Sequence, residues 1–191
     1  NGGIYRFEAD SSLFTNGLAG FRQQLGLPLV AHSRWIDTSS PYRSEYTMSA
    51  DVCVDLRFWT NIMGYIKDGG VVTYEQDWLQ QYSAVMNLTD PPAYMNHMQS
   101  AAAANGINLQ YCTPTARHYL QGSLYNNVTS IRVSYDGFTS ARWDSFIYDS
   151  RFASAMGVWP FTDAYPSSAA RCLLIGTLSG GPVGVGDALG T

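Results

Sequence analysis

Runs rich in β-branched and aromatic residues alternate with helical patterns along this chain, and that alternation restricts its fold more than any other feature. Residues 29–35 read as a strand, 56–67 as a helix, 71–78 as a strand and 93–104 as a helix. The pattern goes on with a strand at 107–112, the start of a helix at 116–120 and a strand at 130–136, then short apolar segments at 152–158 and 173–175. Repeats of this length imply parallel strands, because a parallel connection needs a crossover helix.

Gly26, Gly69-Gly70 and Gly106 each follow a helical pattern and precede a strand, where a helix C-cap belongs. The strand exits carry polar and aromatic residues: Arg34-Trp35-Ile36-Asp37, Glu75-Gln76-Asp77-Trp78, Gln110-Tyr111-Cys112 and Ser134-Tyr135-Asp136. In a barrel these exits gather at the carboxyl-terminal face, where sites form. Trp35, Gln110 and Cys112 are therefore candidate ligand contacts. An open doubly wound sheet also alternates β and α, but it needs a glycine-rich phosphate turn leading into a helix. The run Gly180-Gly181-Pro182-Val183-Gly184-Val185-Gly186 has Pro182 in its middle and no helical pattern after it. The expected fold is an α/β, (β/α)8 TIM barrel, with residues 1–191 forming one catalytic-type domain.

The chain is 46% hydrophobic and 14% charged, enough apolar content for one well-cored domain. A net charge of -4 without a basic cluster excludes a nucleic-acid footprint. Apolar stretches fall short of a membrane span, and no signal peptide opens the chain at Asn1. Asn87-Leu88-Thr89 and Asn127-Val128-Thr129 are glycosylation acceptor sequences in polar stretches, which points to a secreted or extracellular protein. Cys53, Cys112 and Cys172 are too scattered for a disulfide framework and lack metal-ligand spacing, so no metal and no cofactor is expected.

Alternate residues of a strand share a face, so Thr73, Glu75 and Asp77 point one way. Two carboxylates that close raise each other's pKa and require partners or solvent, which packing alone does not select. The same parity aligns Arg132, Ser134 and Asp136, adding a second acid for a two-carboxylate mechanism such as retaining glycoside hydrolysis, which needs carboxyl groups roughly 5 to 5.5 Å apart. Of the three histidines, His32 is placed to face a pocket, while His97 and His118 fall in helical patterns and read as packing or surface residues. Cys112 reads as a small buried apolar residue rather than a nucleophile.

Gly70-Val71-Val72-Thr73-Tyr74-Glu75-Gln76-Asp77 resembles the strand of clan D α-galactosidases and raffinose synthases that ends in lysine, one residue, then the nucleophilic aspartate. Ser130-Ile131-Arg132-Val133-Ser134-Tyr135-Asp136 is similar to the Arg-x-Ser-x-Asp segment of glycoside hydrolase family 36. Ala169-Ala170-Arg171 with the glycine-proline run up to Asp187 resembles the closing strand of raffinose-synthase-like proteins. Asn16-Gly17-Leu18 and Trp159-Pro160 near Asp163 extend the match in order. The resemblance implies Asp77 as nucleophile, Asp136 as acid/base, and Glu75, Arg132, Trp159 and Asp187 among the sugar contacts. Glu75 stands where that family has a substrate-binding lysine, which reverses a charge.

In this register Leu29, Val71, Ile107, Ser130, Phe152 and Leu173 start strands three to eight, so the barrel's first two strands must come from a further segment of a larger polypeptide or assembly. The expected activity is a retaining α-glycosidase or transglycosidase on a carbohydrate. The rival is a catalytically inactive extracellular carbohydrate-binding or structural protein that kept the barrel.

Overall fold

The structure, a computed structural model, describes residues 2–80 and 86–188. In chain order, α1 (Gly17–Leu25), β1 (Leu29–Ser33) and α2 (Tyr42–Glu45) precede a small antiparallel ladder of β2 (Met48–Ser49) and β3 (Val52–Cys53). Then come α3 (Leu56–Asp68), β4 (Val71–Gln76), α4 (Asp90–Ala104), β5 (Asn108–Tyr111), α5 (Ala116–Gly122) and β6 (Val128–Arg132). The chain continues with α6 (Trp143–Ala155), β7 (Trp159–Phe161), β8 (Ala164–Tyr165), α7 (Ala170–Leu178) and β9 (Gly184–Val185). Strands β1, β4, β5, β6 and β7 form one parallel sheet in that spatial order, and β8 pairs in parallel with β9 beside it. The described residues thus form an α/β protein around a five-stranded parallel sheet.

Helix α3 starts where the Asp55 carboxylate accepts the Arg57 N–H at 2.9 Å, capping an otherwise unpaired donor. Phe58, Trp59, Ile62, Met63 and Ile66 recur on one face and are buried. Gly70, at φ 83°, then turns the chain into β4 in a left-handed conformation that favours glycine. Helix α4 begins a turn before the expected Ala93, because Pro91 and Pro92 fit a first helical turn whose N–H groups have no partner within the helix.

Along β4, Tyr74 and Gln76 are buried beneath the helices while Thr73 and Glu75 face the other side. The Tyr74 ring meets Trp59, which meets Phe58 and Tyr94, knitting β4 to α3 and α4. Leu109, Tyr111 and Ile131 continue this core along β5 and β6. Fully burying each such side chain contributes about 1.5–3 kcal/mol.

Two expected strand starts are corrected. Phe152 lies in α6, its ring 5.4 Å from Tyr119 and 6.2 Å from Tyr148 four residues earlier, and the strand begins at Trp159. Leu173 lies in α7, not in a strand. Short apolar runs fit a buried helix face as well as a strand, and here three-residue and two-residue strands left little periodicity to read.

Candidate active site

The strand register builds the site. His32 lies opposite Glu75, Glu75 opposite Gln110, Gln110 opposite Ser130 and Ser130 opposite Trp159, one row across five strands on the face away from the α3/α4 core. Ser130 Oγ donates to Gln110 Oε1 at 2.9 Å, and the Gln110 side chain in turn hydrogen-bonds Glu75. Trp159, at the end of the row, is 61% exposed.

One step further along the strands, at their carboxyl ends, lies Asp77. Its side chain is only 10% exposed, with His32 Nε2 3.2 Å and Arg34 Nε 3.8 Å from Oδ2. The Trp78 N–H donates to Oδ1 at 2.7 Å. Burial alone would raise this carboxyl's pKa, but hydrogen bonds from His32, Cys112 and the Trp78 N–H overcome it and hold the group at about 2. Asp77 is therefore ionised throughout the neutral range. The same hydrogen bond raises the pKa of His32 against its partial burial. Glu75 is displaced the opposite way: burial raises its pKa, only partly countered by Gln110 and His32, with Asp163 and Asp77 adding to the rise.

Arg132 forms a second hub. Buried at the exit of β6, it donates through Nη1 to Cys112 Sγ at 3.3 Å, pairs with Asp163 Oδ2 at 2.7 Å, and pairs through Nη2 with Asp136 Oδ1 at 2.5 Å. Cys112 links the hubs, since its thiol contacts Asp77 as well. The thiol's pKa is pushed up, by burial first, so a thiolate nucleophile is disfavoured. Among the described residues, left-handed backbone at non-glycine positions occurs at Ala50 and at Trp78, Thr113 and Asp163 (φ 61°, 51° and 72°), the last three just past the ends of β4, β5 and β7. Such conformations cost roughly 1 kcal/mol or more each and concentrate at functional sites.

The sequence-derived residues fall into four groups. Glu75, Asp77, Gln110, Cys112 and Arg132 come together in this cluster. Trp35 reaches it through Trp78, the two rings meeting edge-on at 4.8 Å with the Arg34 guanidinium 5.7 Å from the Trp78 ring. Asp136 is at the rim, its side chain 93% exposed, beside a cleft of about 370 Å³ lined by Gln80, Thr113, Arg132 and Arg142. Asp187 is engaged elsewhere, accepting the Ser167 N–H at 2.8 Å. His97 and His118 do pack: His97 Nδ1 is 2.8 Å from the Val54 carbonyl, and His118 Nδ1 accepts the Thr115 N–H at 3.0 Å. Burial, with Arg117 nearby, lowers the pKa of His118 to about 4. Asp163 was not legible as a site residue, because a strand placed at Phe152 ends too early to make it an exit. No group of three or more His, Cys, Asp or Glu among the described residues could hold a metal ion.

Among the described residues no helix is long and apolar enough to cross a membrane. Asn87 is exposed, its amide donating to Asp90 Oδ2 at 3.0 Å, whereas the Asn127 amide donates to the carbonyls of Gln99 and Ile107, both at 3.3 Å. Cys53, Cys112 and Cys172 are free thiols.

No protein-family model matches the chain. No curated protein matches it significantly in sequence. Among solved structures it is similar to a GH27 β-L-arabinopyranosidase from Geobacillus stearothermophilus, with a TM-score of 0.60 at 11% identity over 85% of this chain and 46% of that one. The chain thus spans about half the length of that enzyme. At this identity the likeness is one of fold alone, an α/β architecture built on a parallel sheet.

Proposed function

We propose that this chain forms the catalytic mouth of a retaining glycosidase or transglycosidase, with Asp77 attacking the anomeric carbon of a carbohydrate. The observation that carries this reading is the state of Asp77: a nearly buried carboxylate at a strand exit, kept ionised by three hydrogen bonds, beside the row of exposed His32 and Trp159 and half-buried Glu75 and Gln110. A nucleophile of this kind must be anionic and immobilised before the sugar arrives. The second carboxylate comes from the same mouth, and the motif resemblance points to Asp136. Trp35, Trp78, Trp159 and Gln110 supply apolar faces and amide groups suited to a sugar ring and its hydroxyls.

A secreted protein is the matching setting, with Asn87 the acceptor that can take a glycan without losing a buried amide bond. A mass shift on glycosidase treatment that is abolished by Asn87→Gln is the expected result.

The test of the activity is turnover of aryl α-glycosides by the complete protein. Asp77→Asn should lower kcat/KM by at least about 10³-fold, as loss of a nucleophile does. A 2-deoxy-2-fluoro glycosyl donor should label the wild type at Asp77 and leave the variant unlabelled.

One observation favours the other reading, a catalytically silent carbohydrate-binding protein: Glu75 replaces the lysine of the resembled family. Saturable sugar binding, with no turnover in the wild type above that of Asp77→Asn, would establish it.

A further inference from the structure

Four carboxylates gather at this mouth, and they differ in what holds them. Asp77 has His32 and Arg34, while Asp136 and Asp163 share Arg132. Glu75 instead takes the neutral amide of Gln110, which is itself fixed by Ser130. The groups facing Glu75 are His32, directly across in register, and the carboxylates Asp77 and Asp163. Since His32 Nε2 is already engaged by Asp77, Glu75 has carboxylates around it and no arginine among the described residues to hold its charge.

Position adds to this. Glu75 and Asp77 are alternate residues at the end of β4, on one face, which separates their Cα atoms by roughly 6.5–7 Å. Two carboxyl groups so mounted can take up the separation of about 5–5.5 Å that retention uses. Asp136, by contrast, extends into solvent at the rim, its side chain 93% exposed and paired with Arg132, away from the face of β4 that carries Asp77.

We propose that Glu75, rather than Asp136, is the catalytic acid/base that works with Asp77. In the first step an Asp77 oxygen bonds to the anomeric carbon, the glycosidic C–O bond breaks, and the Glu75 proton passes to the departing oxygen. In the second, the Glu75 carboxylate takes a proton from water or an acceptor hydroxyl, whose oxygen bonds to the anomeric carbon as the Asp77 ester breaks, and Glu75 is reprotonated. The half-buried site favours the protonated form with which this cycle starts. The inference rests on the proposed role of Asp77.

The experiment compares glycosides with a good leaving group (2,4-dinitrophenolate) and a poor one (an alkoxide) across a panel of pentosides and hexosides, using the complete protein. For Glu75→Gln, kcat/KM should fall by about 10²-fold or more on the alkyl glycoside and by under about 10-fold on the dinitrophenyl one. Azide should restore turnover and give a glycosyl azide, and the alkaline limb of the pH profile should disappear. Asp136→Asn should change both substrates by the same factor. If Glu75→Gln does not fold, Glu75→Asp should show the same dependence on leaving group. The proposal is overturned if the Glu75 variants lower both substrates equally or not at all, or if Asp136→Asn shows the leaving-group dependence and azide rescue. Those results leave Asp77 as nucleophile intact, whereas a wild type inactive on the whole panel removes both readings.

Discussion

At the scale of single residues, the site depends on how Asp77 is kept ionised. Its largest favourable contact is the His32 imidazole, with Arg34 more distant at 3.8 Å. Replacing His32 by glutamine removes the imidazole partner but leaves the Trp78 N–H and Cys112 in place. The Asp77 pKa should then rise from about 2. In a pH profile of kcat/KM the acid limb should move upward accordingly, and the alkaline limb set by Glu75 should move upward with it, since His32 also holds the Glu75 pKa down, a change that simple loss of packing would not produce. Glu75 gives the opposite sign. Its pKa is raised above the unfolded value of 4.5, so the folded state resists ionisation and loses stability as pH rises through the folded pKa. Glu75→Gln should therefore raise the melting temperature at pH 8 and leave it nearly unchanged at pH 4, and equal shifts at both would contradict burial as the cause.

At the scale of elements, capping and close packing position the strand ends. Asp55→Ala uncaps α3, the helix that carries Phe58 and Trp59 against β4, and should cost about 1 kcal/mol in urea unfolding. Gly181 is stricter: a Cβ there would fall on the Pro160 carbonyl oxygen of β7, so Gly181→Ala must displace backbone and should destabilise by more than the cap does. The sequence showed the strands around Val71, Asn108 and Ser130 because their alternation is tied to burial on one face; the same parity brought Glu75 and Arg132 into the candidate site, and the polar strand exit brought Gln110. It did not show β7, since three residues cannot establish a period and the apolar residues before it belong to α6. Nor did it show the left-handed exits at Thr113 and Asp163, because threonine seldom adopts that conformation and aspartate, though enriched in it, does so at only a minority of its positions. The partner of Asp187 was equally hidden: tertiary contacts placed it on Ser167.

At the scale of the molecule, these charges should govern acid stability. Asp55 and Asp77 both have pKa values near 2, Asp55 chiefly through hydrogen bonds from Arg57 and Asp77 through those that outweigh its burial. A carboxyl whose pKa is depressed on folding contributes stability that is complete above its unfolded value of 3.8 and is lost as pH falls through the folded value. For Asp77, nearly buried, this amounts to about 2 kcal/mol. Glu75 and Asp149 act in reverse, since burial raises their pKa values and protonation relieves them, so they offset part of the loss as pH first drops toward 4. Stability should therefore fall little between pH 7 and 4 and steeply between 4 and 2. Asp77→Asn gives up the contribution at neutral pH, so its unfolding free energy should start lower and decline less steeply below pH 4, meeting the wild-type curve near pH 2. Parallel curves for the two proteins down to pH 2 would mean that Asp77 is no more strongly held in the fold than in the unfolded chain, and the case for a preorganised nucleophile would go with it.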